Sequence, residues 1–211
     1  MKSKTQRIRE ILSLAPVVPV LAFNDVDEAI NTSRALVAGG LPVIEITLRT
    51  PAALECIAAV AKNVDGAVVG AGTVLNSEMM QDCLDVGSQF LVSPGATQNL
   101  LDGLRKTDVP LLPGVSTPSE AMGLLSEGVE VMKFFPAQQS GGAPFLKALA
   151  PVLPQITFCP TGGINEDNAK DYLSLPNVVC VGGSWVAPKS LIEKGDWDGI
   201  TKVAARAATF G

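Results

Sequence analysis

The 211 residues are 47% hydrophobic and 18% charged, with a net charge of −5 and no histidine. That is too apolar for a disordered chain, and without a basic run beyond the first ten residues it offers nucleic acid no electrostatic footing. The missing histidine removes Ser-His-Asp and Cys-His catalysis and His-ligated metal centres, leaving proton transfer to carboxylates, lysine, cysteine, tyrosine or water.

In chain order, MKSKTQRIRE predicts a short initial helix rather than a secretory leader. Arg7, Arg9 and Glu10 run straight into the apolar segment, and Pro16 and Pro19 break any continuous apolar helix. No run reaches the ~18 apolar residues of a membrane span, so a cytoplasmic protein with no membrane partner is expected. Eight short apolar or β-branched runs then recur at nearly even spacing: residues 17–23, 42–48, 67–74, 89–95, 110–116, 129–135, 156–163 and 178–184.

Helix-like segments lie between them, with cap signals at Asn24 or Asp25, Thr50-Pro51, Asn76-Ser77, Thr97, Thr117-Pro118 with Glu120, and Asn165. Gly39-Gly40, Gly87 and Gly128 close helices where a left-handed residue is useful. Strands alternating with helices predict a parallel sheet, and eight such units predict a (β/α)8 TIM barrel with a short N-terminal helix. The rival, a doubly wound open sheet, usually opens on GxGxxG, and FNDVDE after the first strand contains no glycine. With no linker or composition shift, residues 1–211 read as one domain.

Cys56, Cys83, Cys159 and Cys180 form no CxxC pair and read as reduced core residues, neither metal ligands nor disulfides. Glu55, Asp82, Glu120 and Asp171 read as solvated helix-face charges, and Trp185 and Trp197 as core or interface. No Walker, nicotinamide or flavin fingerprint is present, so no cofactor and no metal are expected.

Alternation along PVIEITLRT separates Ile44, Ile46 and Leu48 from Val43, Glu45, Thr47 and Arg49. The apolar set must meet the helices, which turns Glu45 and Arg49 inward. In VEVMKFF the same rule groups Val131, Lys133 and Phe135. Inward charges at mid-strand are costly unless paired or used, and a buried Glu45–Lys133 ion pair that merely fixes the fold is the bland alternative. Catalytic groups of such barrels sit at the carboxyl ends of the strands. Burial disfavours an ammonium and exposes an amine that attacks carbonyls, with Glu45 to shuttle protons. Arg49 offers a fork for a carboxylate and Thr73 a hydroxyl donor. The set suits Schiff-base chemistry on a 2-oxo acid.

CPTGGIN and VGGSW end the last two runs, so Gly162-Gly163 and Gly182-Gly183 are candidates for an anion nest, or plain turns. Pro94 and Phe135 are candidate apolar walls.

Taken together, EITLRT, VGAGTVLN, SPG, PLLPGVST, KFFPA, CPTGGI and CVGGSW closely resemble the bacterial 2-keto-3-deoxy-6-phosphogluconate (KDPG) aldolases, often bifunctional with 4-hydroxy-2-oxoglutarate (KHG) aldolase. The likeness runs over residues 15–202. It implies a class I aldolase on a (β/α)8 barrel, a homotrimer acting on a small 2-oxo acid and a phosphorylated aldehyde in the Entner–Doudoroff route. By the same resemblance Lys133 is the Schiff-base lysine, Glu45 the general acid/base, Arg49 and Thr73 the pyruvate-carboxylate contacts. Gly162, Gly163 and Ser184 form the phosphate site, and Thr161 selects stereochemistry at C4.

One departure follows KFFPA, where Gln138 stands in place of the acidic residue of many relatives. Phosphogalactonate aldolases, with an apolar residue and Asn in place of Thr-Leu-Arg, fit less well. A metal-independent phosphate-binding isomerase or synthase, and a non-catalytic sugar-phosphate binder, are the alternatives outside the family.

Overall fold

The computed structural model describes residues 2–211. Nine short strands alternate with helices: β1 (Val17–Leu21), β2 (Val43–Thr47), β3 (Val68–Gly72), β4 (Leu91–Val92), β5 (Leu111–Leu112), β6 (Gly114–Val115), β7 (Val131–Phe134), β8 (Thr157–Pro160) and β9 (Val181–Gly183). The helices are α1 (Lys4–Leu12), α2 (Val26–Ala38), α3 (Ala53–Asn63), α4 (Ser77–Asp85), α5 (Gln98–Arg105), α6 (Pro118–Ser126), α7 (Gly142–Leu149), α8 (Ala169–Leu173), α9 (Lys189–Ile192) and α10 (Trp197–Ala207).

Every strand pairing is parallel, as helical crossovers require. One curled sheet has the order β5-β4-β3-β2-β1-β9 and a second the order β6-β7-β8. Isolated parallel bridges, Phe158↔Val178 and Thr161↔Gly182, link the β8 and β9 segments. The fifth expected run is thus divided in two, because Pro113 between β5 and β6 has no N–H to give a ladder. Its carbonyl still accepts from Lys133 N at 2.9 Å.

Alternation sorts the side chains as the sequence implies. Val18, Val43, Phe90, Val92, Leu112, Val131, Cys159 and Cys180 form one buried cluster on the inner face, together with Ile8 and Leu12 of α1. Val17, Leu21, Ile44, Ile46, Val69, Ala71, Leu91, Met132 and Phe134 pack outward among the helices. Burial of Ile8 and Leu12 contributes about 1.5–3 kcal/mol each, and Arg7 Nη1 ties α1 to the Asp108 carbonyl at 2.7 Å. The first helix therefore closes the inner face from one side.

Four cap signals are realised. Asp25, Asn76 and Thr97 accept from the N–H three residues on, and Thr117 with Glu120 completes a capping box before α6. Hydrogen bonds from Ser116 and Thr117 hold the Glu120 carboxyl below the usual carboxylate range. Two signals act otherwise. Thr50 donates its hydroxyl to the Phe23 carbonyl while α3 begins later, uncapped by a side chain. Asn165 accepts from Asp167 and Asn168 in a local turn, and α8 starts only at Ala169. All four cysteines are free and buried, as expected. Among the described residues no helix is long and apolar enough to cross a membrane.

Candidate active site

Lys133 on β7 lies between Gly114 and Cys159 in register, and Glu45 on β2 lies between Val20 and Gly70. Of these neighbours, Gly70 admits the Phe90 ring and Gly114 the Pro94 main chain. Lys133 Nζ stands 3.3 Å from Glu45 Oε1, with the side chains 7% and 3% exposed. The Phe135 ring covers the amine at 5.2 Å from its centroid. Gly72, at the end of β3, completes the seat: a Cβ there would lie 2.1 Å from Glu45 Oε1. The carboxyl therefore occupies the space that any other residue at 72 would fill.

Above this pair the inner face turns polar. Thr47 donates to the Leu21 carbonyl at 2.8 Å and accepts from Arg49 Nε at 2.8 Å. Arg49 is not an inward strand residue, as alternation suggested. The strand ends at Thr47, and the chain turns so that Arg49 N donates to Thr47 O at 2.8 Å. Its guanidinium consequently stands exposed at the mouth, aimed by Thr47. Thr73 follows β3 directly with φ +62°, a left-handed conformation unusual for a β-branched residue.

A cavity of about 180 Å³ joins Arg49, Phe135, Thr161, Gly162, Gly163, Gly182, Gly183 and Ser184, with Val20 and Ile164. Lys133 and Glu45 do not line it; both are buried on the inner face, and Lys133 meets it through Phe135. Thr73 and Pro94 also fall outside its lining, and Pro94 is exposed. Thr161 is 6% exposed and packs on Gly182, where a Cβ would lie 2.3 Å from its Oγ1. Gly162 and Gly163 are consecutively left-handed, φ +101° and +74°, a backbone that only glycine adopts at ease. No group of three or more His, Cys, Asp or Glu able to hold a metal occurs among the described residues.

Alternation already put Thr47 on the inner face with Glu45, but local pattern does not reveal the parts played by Gly72 and Tyr172. Gly72 sits within the GAGTV motif, but only its place beside Glu45 on the neighbouring strand reveals the need for glycine. Tyr172, on α8 and 1% exposed, donates to Gln138 Oε1 at 2.8 Å.

A parallel α/β fold with a buried amine beside a carboxylate, under a mouth of arginine and glycine pairs, has the makings of an enzyme that works through lysine. Residues 8–203 match the family model for KDPG and KHG aldolase. The chain is 46% identical to the KHG/KDPG aldolase of Escherichia coli (strain K12), over 98% of this chain and 97% of that one. Among solved structures, the KDPG aldolase of Zymomonas mobilis ZM4 with 3-phosphoglycerate superposes with a TM-score of 0.93 at 47% identity, covering 98% and 97%. That of Legionella pneumophila, with pyruvate captured at low pH as a covalent carbinolamine, gives 0.92 at 41% identity, covering 95% and 98%. The chain belongs to the KDPG and KHG aldolase family and is a lyase.

Proposed function

We propose that the protein is a class I aldolase that cleaves 2-keto-3-deoxy-6-phosphogluconate to pyruvate and glyceraldehyde 3-phosphate, and 4-hydroxy-2-oxoglutarate to pyruvate and glyoxylate. The observation that carries this is the 3.3 Å contact between Lys133 Nζ and Glu45 Oε1 on the buried inner face.

Proton transfer across that contact leaves an amine and a carboxylic acid. The Lys133 nitrogen attacks C2 of the 2-oxo acid, and the carbinolamine loses water with the Glu45 proton, giving an iminium ion. Glu45, now a carboxylate, removes the C4 hydroxyl proton. The C3–C4 bond breaks and its electron pair enters an enamine. The aldehyde leaves, the enamine is protonated at C3, and water hydrolyses the iminium to pyruvate and the free lysine. Arg49 and Thr73 hold the substrate carboxylate. Phe135 and Pro94 wall the chain of carbons, and Thr161 stands where it meets the C4 hydroxyl. Gly162, Gly163, Gly182, Gly183 and Ser184 cradle the phosphate with N–H and O–H donors. The chemistry needs neither metal nor cofactor.

The two sheets are best read as one (β/α)8 barrel over a single domain, with residues 111–115 as a fifth strand kinked at Pro113. The bridges between β8 and β9, and the pairing of β9 with β1, support that closure. Family resemblance adds a cytoplasmic homotrimer. The test is borohydride reduction with pyruvate followed by peptide mapping. A stable adduct on Lys133 is expected, and none, or one on another residue, overturns the reading.

A further inference from the structure

Thr47 closes β2 in register with Gly72 and is 2% exposed. Its hydroxyl has one proton and lies between two groups of fixed polarity. The Leu21 carbonyl can only accept, and takes that proton at 2.8 Å; the Arg49 Nε–H can only donate, and gives its own at 2.8 Å. The Thr47 carbonyl accepts a second N–H of the same residue, from the Arg49 main chain at 2.8 Å. Arg49 is thus clipped at its backbone and at Nε, while among the described residues no carboxylate pairs with its Nη groups.

The clip matters because Arg49 borders two cavities. One is the 180 Å³ cavity of the glycine pairs, and the other, of about 430 Å³, has Asp25, Glu28 and Glu193 in its wall. Lys189 pairs with Glu193 at 3.4 Å, which leaves Asp25 and Glu28 without a cation. An exposed guanidinium free to turn is drawn toward those carboxylates and away from a substrate. We infer that Thr47 is a positioning residue whose hydroxyl holds Arg49 at Nε, keeps both Nη groups on the glycine side, and thereby sets the preference for a 2-oxo acid over a neutral ketone of the same shape. Threonine suits the place because its oxygen accepts from Nε without adding a charge that competes with the substrate. The inference rests on the proposed contact between Arg49 and the substrate carboxylate and deepens it.

The experiment compares pyruvate with pyruvamide, its uncharged isostere, in borohydride trapping on Lys133, each read as a half-saturating concentration. Thr47→Val removes the hydroxyl but keeps the branched shape, and Thr47→Ser keeps the hydroxyl. Thr47→Val is expected to raise the pyruvate value about 10-fold, the scale of one hydrogen bond to a charged group, and the pyruvamide value by less than about 2-fold. Thr47→Ser stays within about 3-fold of wild type for both. Added to Arg49→Ala, Thr47→Val costs nothing more. An equal rise for the two ketones, no rise, or a full further loss in the double variant overturns the inference. In the wild type, nitrogen-15 NMR should show the Arg49 Nε–H, identified by its absence from Arg49→Lys, protected from exchange with solvent. An unprotected Nε–H overturns the inference whether or not Thr47→Val folds. A wild type that traps neither ketone counts instead against the aldolase reading, and the Nε–H signal still decides whether Thr47 holds Arg49.

Discussion

Gly72→Ala tests whether the catalytic carboxyl is seated by an absence. The new Cβ would lie 2.1 Å from Glu45 Oε1 and 2.7 Å from its Cδ and Cγ, against 3.4 Å for ordinary contact. Gly72 is not left-handed, so alanine is compatible with the backbone and the whole effect falls on Glu45. The carboxyl must withdraw by about 1.3 Å, and a retreat away from Lys133 opens their 3.3 Å contact beyond 4 Å, out of direct proton-transfer reach. A misplacement of about 1 Å costs on the order of 10²-fold in rate, within the 10²–10⁴-fold expected of Glu45→Gln. Overpacking also costs about 1–3 kcal/mol, lowering Tm by roughly 2–12 °C. The assay is pyruvate release coupled to lactate dehydrogenase, with thermal denaturation alongside. Gly70→Ala is the control: its Cβ would strike the Phe90 ring at 2.5 Å, so stability should fall while kcat is retained. Because Gly72 acts through Glu45, the Gly72→Ala/Glu45→Gln double variant should be no slower than Glu45→Gln. A kcat for Gly72→Ala within about 3-fold of wild type, or multiplicative losses in the double variant, refutes the reasoning.

Lys133→Met should abolish pyruvate release and strand a buried carboxylate at a cost of about 3–5 kcal/mol, whereas Glu45→Met/Lys133→Met should recover Tm without activity. A double variant less stable than the single would make the pair a structural brace. Thr73→Gly removes left-handed strain, so Tm should rise by about 2–4 °C while KM rises several-fold as the hydroxyl contact is lost; a fall in Tm counts against strain at this position. Burial, with Asp82 adding to it, pushes the Cys83 thiol up to about 12 from an ordinary 9.0. Only about one in 10⁴ of Cys83 is thiolate at pH 8, and all four cysteines are buried away from reagent, so native protein should show no fast-reacting thiol, against four in denaturant. The unfolded chain releases that proton first, so the contribution to stability is complete below pH 9 and falls as pH rises toward 12; a rise over that range would contradict it.

Period-two alternation made the two faces of β2 and β7 legible, because a strand side chain has only two directions and the apolar set must meet helices. Glu45 follows from that alone, whereas both sets of β7 are largely apolar, so alternation buries Lys133 whichever way it points and the inward direction rests on its place beside Phe135 near the strand end. Arg49 misled because alternation was carried past the end of the strand: a turn at Thr47 is a main-chain event that the side-chain pattern does not record. Gly72 and Glu45 are neighbours only across paired strands, so local spacing cannot link them. The Gln138–Tyr172 hydrogen bond, 34 residues apart in sequence, is likewise a product of packing. Thr50 and Asn165 read as helix caps because the same side chains serve turns, and only the tertiary surroundings choose between the two.

The departures from local rules lie near one end of the strands. Toward the amino ends the inner face is a dry layer of Val18, Val43, Val131 and Cys180, sealed by Ile8 and Leu12. Such a layer keeps water from the amine and offsets the cost of placing two ionisable groups above it. Further along come a buried lysine and glutamate, a threonine at φ +62°, and paired left-handed glycines, each unfavourable on its own account. A core chosen for stability alone would fill these places with branched aliphatics. That the costs fall together, on strands distant in sequence but adjacent in space, argues that they were retained for one shared task rather than scattered as defects.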